Sequence, residues 1–163
     1  MTPIHRVGEH DGRTLYVGSS ADLDEWPAEL SVPFVALSAL DARARTDGQL
    51  ETLARELLDR RCVYACAWGP DAGRVESAFD HVAVAAEDAG RPYVDDVVMT
   101  TSHEDESLDE ALWFGLFAAM TQDGAPPAVV AIADVEWLAE VERRLADPDQ
   151  LMADVLGRDE GAS

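Results

Sequence analysis

Thr100-Thr101-Ser102-His103 places three hydroxyls and an imidazole at the end of an apolar run, and Glu104, Asp105 and Glu106 follow at once. An imidazole flanked by carboxylates serves as a general base or a metal ligand, with its ring oriented by a neighbouring acid. Glu104 or Asp105 is expected to orient it, so His103 and Asp105 are candidate catalytic residues. Cys66 is the third. It sits near the end of the preceding apolar run, and if the two runs are adjacent strands its thiol approaches His103 as a nucleophile approaches its base. The competing expectation is an exposed His before a well-capped helix, and a strand Cys that packs as a small hydrophobe.

Other residues at the ends of apolar runs are candidates for binding. Trp68 and Asp71 flank Gly69-Pro70, and Thr101 and Ser102 precede His103. Trp113 and Phe117 lie in Ala111–Met120, a stretch that is apolar all round a helix. Such a helix needs cover on both sides, from the sheet on one and from a hairpin, the C-terminal helices or another chain on the other. Asp71, His103, Asp105 and Asp134 offer hard ligands suited to a divalent cation such as Mg²⁺. Their spacing matches no metal motif, and no HExxH, CxxC or EF-hand loop is present, so no metal residue is assigned and no cofactor is expected. His5, His10 and His81 fall in a hairpin or off an apolar helix stripe and are expected to be solvated.

Composition removes several chemistries. The 163 residues include no lysine and no asparagine. Without lysine there is no P-loop clamp, Schiff base, kinase-type ion pair or Ser–Lys dyad. Neither candidate strand–helix turn carries the GxGxxG of a dinucleotide site. The net charge of −21 repels nucleic acid and anionic membranes and favours basic partners. A high-GC bacterial genome or a salt-adapted cytoplasm would each give this composition. No leader is expected from Met1–Val7, and the longest apolar run reaches only half of the ~20 residues a membrane span needs.

The elements that must position these residues follow from periodicity. Ile4–Gly8 and Arg13–Gly18 flank Asp11-Gly12, a hairpin signal. Apolar runs at Phe34–Leu40, Cys62–Trp68, Val97–Thr101 and Val129–Ala133 alternate with helical stretches at Gln49–Arg61, Asp71–Ala89, Asp105–Thr121 and Val135–Leu145, and Pro148 opens a last helix to Leu156. Ser107 with Glu110 reads as a capping box, with Asp105 as a competing cap. Continuous apolar strands alternating with helices predict an α/β three-layer sandwich, its mainly parallel central sheet made of about four core strands plus an N-terminal β-hairpin. Residues 1–156 are expected to form a single domain (1–33 hairpin and loop, 34–156 repeated strand–helix units), with 157–163 a disordered tail. Cys62 and Cys66, four apart in a strand, are expected on one side at about 13 Å, beyond the ~7 Å reach of a disulfide, which suits a reducing compartment.

In sheets of this kind sites form beyond the carboxyl ends of the strands, where Asp41, Trp68, Asp71, Thr101–Asp105 and Asp134 gather. No complete catalytic signature stands there. The expected function is a small acidic cytoplasmic binding or regulatory protein, of the immunity or accessory-subunit type, that self-associates or holds a basic protein partner. The alternative is a small hydrolase using His103 with Cys66 or a metal.

Overall fold

Apolar runs alternating with amphipathic stretches build one sheet with helices on both faces. The computed structural model describes residues 2–30, 32–94 and 97–161. Strands β1 (His5–His10) and β2 (Arg13–Ser19) form the expected hairpin. Asp11 and Gly12 both take positive φ, 53° and 76°, as the tight turn between two right-twisted strands requires. There follow β3 (Phe34–Ala39), a 3-10 turn at Ala42–Ala44, α1 (Asp47–Asp59), β4 (Cys62–Trp68), α2 (Ala72–Asp88), β5 (Met99–Ser102), α3 (Leu108–Phe117), β6 (Ala128–Ala133), α4 (Val135–Leu145) and α5 (Pro148–Gly161).

The strand order is β1-β2-β6-β3-β4-β5. Every neighbouring pair is parallel except β1 with β2. This is the predicted three-layer α/β sandwich, with one refinement. The second hairpin strand joins the parallel sheet beside β6, so only β1 runs against it.

Crossover handedness assigns the helices to faces. From β3 to β4 to β5 the chain steps outward in one direction, and from β5 to β6 it steps back across the sheet. Right-handed crossovers then place α1 and α2 on one face and α3 on the other. The buried residues divide accordingly. Leu50, Leu57, Val75 and Phe79 pack with Phe34, Val130 and Ile132 on the first face. Leu112, Leu116, Val141, Leu145 and Leu151 pack with Leu37 and Val129 on the second.

The apolar helix α3 seats closely on the sheet because Gly115 faces Leu37; a Cβ there would lie 2.6 Å from Leu37 Cδ1. Its other sides meet α4 and α5, and His10 of the hairpin stands edge-on to Phe117 at 5.0 Å. His10 is therefore a packing residue, and His5, bonded to Pro3 O and Glu142, is likewise partly covered; only His81 has the exposed position expected of all three. Trp113 and Phe117 remain half-buried.

Three local expectations are corrected. A bulge inserts Val63 between the pairs Phe34–Cys62 and Val35–Tyr64. It reverses the facing of Cys62, so the two cysteines lie on opposite faces of the sheet, each a buried free thiol. Helix α3 starts at Leu108 because the Ser107 hydroxyl accepts from Glu110 N at 3.1 Å, and Asp105 is not its cap. Helix α5 continues past Leu156 to Gly161, where a disordered tail was expected; Ala162 and Ser163 lie outside the described residues.

Candidate functional site

The direction of strand stepping reverses between β3 and β6, which makes their carboxyl ends the switch point where α/β sheets open a ligand crevice. Here the chain fills that crevice itself. Asp134, just past β6, accepts from both terminal nitrogens of Arg45 at 2.6 and 2.9 Å, from Asp41 N at 2.8 Å and from Ser20 Oγ at 2.7 Å. Burial alone would raise this carboxyl, but the Arg45 fork, the Asp41 N–H and the Ser20 hydroxyl outweigh it and hold it below the ordinary carboxylate range. The clamp ties together the segments that follow β2, β3 and β6. Arg43 forks onto the Asp41 carboxylate at 3.0 Å.

One turn along the edge, Gly69-Pro70-Asp71 makes the tight link from β4 to α2. Gly69 has φ 120°, and a Cβ there would lie 2.0 Å from Leu40 O, so only glycine fits. Asp71 is itself left-handed, φ 61°, and its side chain makes no cap bond to the helix; it points to solvent as an exposed acid.

His103 is the largest departure from expectation. It is 5% exposed, not a surface residue. Its backbone N–H donates to Ala67 O at 2.8 Å, continuing the β4–β5 ladder. Nε2 meets Thr101 Oγ1 at 2.9 Å and Nδ1 meets Glu106 Oε2 at 3.0 Å. The ring packs against Phe114, centroids 4.7 Å apart. The acid bonded to the ring is thus Glu106, one residue past the expected Asp105 and two past Glu104. Glu104 accepts instead from Gly73 N at 2.5 Å, and Asp105 is exposed. Cys66 lies opposite Thr101 in the register, so a hydroxyl, not the thiol, is the group bonded to His103. Burial pushes the Cys66 thiol up to about 12, with the Thr101 hydroxyl opposing in part, and at neutral pH it stays protonated and unreactive.

Hydroxyl, imidazole and carboxylate stand in the order of a nucleophilic relay. The imidazole is buried against Phe114, and the three groups link the end of β5 to the turn before α3. Among the described residues no three His, Cys, Asp or Glu side chains converge to hold a metal ion. Asp71, His103, Asp105 and Asp134, considered together as hard ligands from the sequence, do not do so.

Beyond these internal bonds the edge presents an aromatic pair. Trp68 and Trp137 meet edge to face, centroids 5.1 Å apart, and both are half-buried. The Trp68 indole donates to Glu106 O at 2.9 Å, and Val135, two residues before Trp137, is 88% exposed. Trp68 was legible as a candidate; Trp137 and Val135 were not, because only the sheet order brings the start of α4 beside the end of β4. The acids here outnumber their partners. Arg43 and Arg45 are used by Asp41 and Asp134. Asp71, Glu104, Asp105, Glu106, Glu110 and Glu136 have no arginine in ion-pair range among the described residues. Arg43, pushed up first by its bond to Asp41, also feels Asp71 and Glu136, so those carboxylates surround one region of the edge.

Of the remaining binding candidates, Thr101 is spent on His103, Ser102 is exposed at the end of β5, and Trp113 and Phe117 belong to the α3 packing. A groove of about 890 Å³ lies at the opposite, amino edge, between Val63, Met99, Met120 and Pro127. Arg61 and Asp123 are the charged residues in its lining. No helix of the described residues is long and apolar enough to cross a membrane.

No curated protein and no solved structure matches the chain. A family model does, over residues 13–153, from the first residue of β2 into α5 and so through every parallel strand; the chain belongs to that family, described as Domain of unknown function (DUF7684).

Proposed function

We propose that this chain is a non-catalytic, cytoplasmic binding protein of the immunity or accessory-subunit type that holds a basic protein partner against the carboxyl edge of its sheet. The observation that carries the reading is the Trp68–Trp137 pair with the exposed Val135 beside it, framed by carboxylates that have no arginine in ion-pair range among the described residues. Half-exposed aromatics inside a charged rim are the composition of an interface hot spot. The rim's uniform sign selects a basic surface and speeds its approach. The catalytic candidates support the same reading by being occupied: the Cys66 thiol is protonated and buried, and the His103 ring is bonded at both nitrogens.

The test uses decaarginine as the probe and decaglutamate as the control. The indole N–H signals of Trp68 and Trp137 are expected to move on titration with decaarginine, less so as salt rises, and to ignore decaglutamate. Asp71→Asn, Asp105→Asn and Glu136→Gln combined should weaken binding at least about tenfold by removing rim charges. Asparagine keeps the left-handed turn at position 71. Indole signals that stay fixed, or an affinity the triple substitution leaves unchanged, would overturn the reading.

A further inference from the structure

We infer that the partner enters as an extended basic segment that adds a strand to the free edge of β5; this rests on the reading above, since it names how the basic partner is held. β5 ends the sheet. In a parallel ladder alternate residues turn both backbone groups toward the neighbouring strand. The bond from His103 N to Ala67 O and the pairing of Thr101 with Cys66 fix which ones they are. Met99, Thr101 and His103 face β4, so the N–H and C=O of Thr100 and Ser102 point outward. The strand is open to solvent, with Met99 and Ser102 exposed. Outward backbone with no backbone partner among the described residues is a template for an added strand.

The two edges of the sheet differ. β1 at the other end carries Arg6 and Glu9, ion-paired at 3.0 Å, and a bulge between Arg6 and Gly8, both devices that discourage strand addition. β5 reads Met-Thr-Thr-Ser, with no charge, no proline and no bulge.

Charge decides the occupant. Asp80 accepts from Thr100 Oγ1 at 2.7 Å and so stands beside the edge. Glu104 lies two residues beyond it. Glu76 is pushed up by burial and by Asp80 and Glu104, against an opposing pull from His103, which puts these carboxylates in one field. None of them is ion-paired to arginine among the described residues. A second copy of this chain would bring the same carboxylates, and its own net charge of −21, against them. An extended segment with arginine or lysine at alternate positions would set its cations against Asp80, Glu76 and Glu104 while its backbone pairs with Thr100 and Ser102. Leaving the strand at its carboxyl end, it passes Glu104–Glu106 and reaches Trp68, whose indole is bonded to Glu106 O.

The probe is an acetylated, amidated peptide alternating arginine and valine, compared with the same peptide N-methylated on alternate amides. Methylation removes strand donors and leaves every charge. With the wild-type protein, hydrogen exchange at the Thr100 and Ser102 amides is expected to slow on adding the first peptide, and the methylated peptide should bind about tenfold more weakly for the loss of about two backbone hydrogen bonds. If the Trp68 and Trp137 indole signals move while Thr100 and Ser102 exchange at their free rate and both peptides bind alike, strand addition is wrong and the acidic-edge reading stands. If neither peptide moves any signal, both fall.

Discussion

Asp134 shows how a residue that looks reactive in sequence becomes a tie in the fold. Its carboxylate takes four hydrogen bonds, two of them from Arg45, and its side chain is 17% exposed. Asp134→Ala takes their shared acceptor from a guanidinium and a backbone N–H. The expected cost is about 2–3 kcal/mol, or about 5–10 °C in the thermal midpoint. The pH dependence has a definite sign. The folded carboxyl titrates below its usual range, so its contribution is complete above the unfolded value of about 3.9 and drains away as pH falls through the folded value. Melting curves of wild type and Asp134→Ala should therefore differ fully at pH 7 and converge below about pH 4. A gap that stays constant down to the acid limit would show that the carboxylate's bonds are not what stabilises the edge. His103 teaches the same lesson. An imidazole with hydroxyl and carboxylate on its two nitrogens has the parts of a relay, yet it is only 5% exposed and both ring nitrogens are already engaged within the chain.

At the scale of elements, the three helices on the second face are joined by a buried ion cluster. Arg144 of α4 forks onto Asp109 of α3 at 2.7 and 3.0 Å and reaches Asp154 of α5 at 2.7 Å. Arg144 and Asp109 are 8% and 11% exposed in their side chains, Asp154 34%. Arg144→Met alone leaves the Asp109 charge in a dry position without its guanidinium and should cost about 3–5 kcal/mol. Adding Asp109→Leu should recover most of that loss, because the apolar pair fills the volume and removes the buried charge. Urea unfolding of the two single variants and the double measures this directly; losses that simply add would mean the cluster is not a coupled unit. This joint marks the limit of sequence reading. The alternation of strands and helices, the Asp11-Gly12 turn and the Ser107 cap were legible because each is set within a few residues. The strand order, the bulge at Val63 that turns Cys62 over, the choice of Glu106 over Glu104 for His103, and the meeting of Trp68 with Trp137 were not, because each depends on which distant strand or helix arrives alongside. Within the candidate site the gathering of polar residues at the carboxyl edge was legible, while the burial of His103 and Cys66 and the exposure of Asp105 depend on packing that no local pattern records.

The whole molecule carries 33 acids against 12 bases, and this sets its response to salt. Carboxylates along the carboxyl edge and beside β5 that lack an arginine ion pair among the described residues repel one another in the folded state more than in the expanded chain, so screening should favour folding. The Arg144–Asp109 cluster is buried and little screened, so its loss does not cancel the gain. Between low ionic strength and 0.2 M sodium chloride, where the screening length falls from tens of ångströms toward about 7–8 Å, the thermal midpoint is expected to rise by about 2–5 °C. Neutralising Asp71, Asp105 and Glu136 should flatten that slope. Binding of a basic segment should move the other way over the same range, since the repulsion that salt relieves is the field the partner is drawn by. Opposite slopes for stability and affinity, measured on one protein in one buffer series, would tie both to the same carboxylates. A midpoint that is flat or falls with salt would mean that local pairs, not the net field, govern this fold, and that the acidity does not act on a partner through these edges.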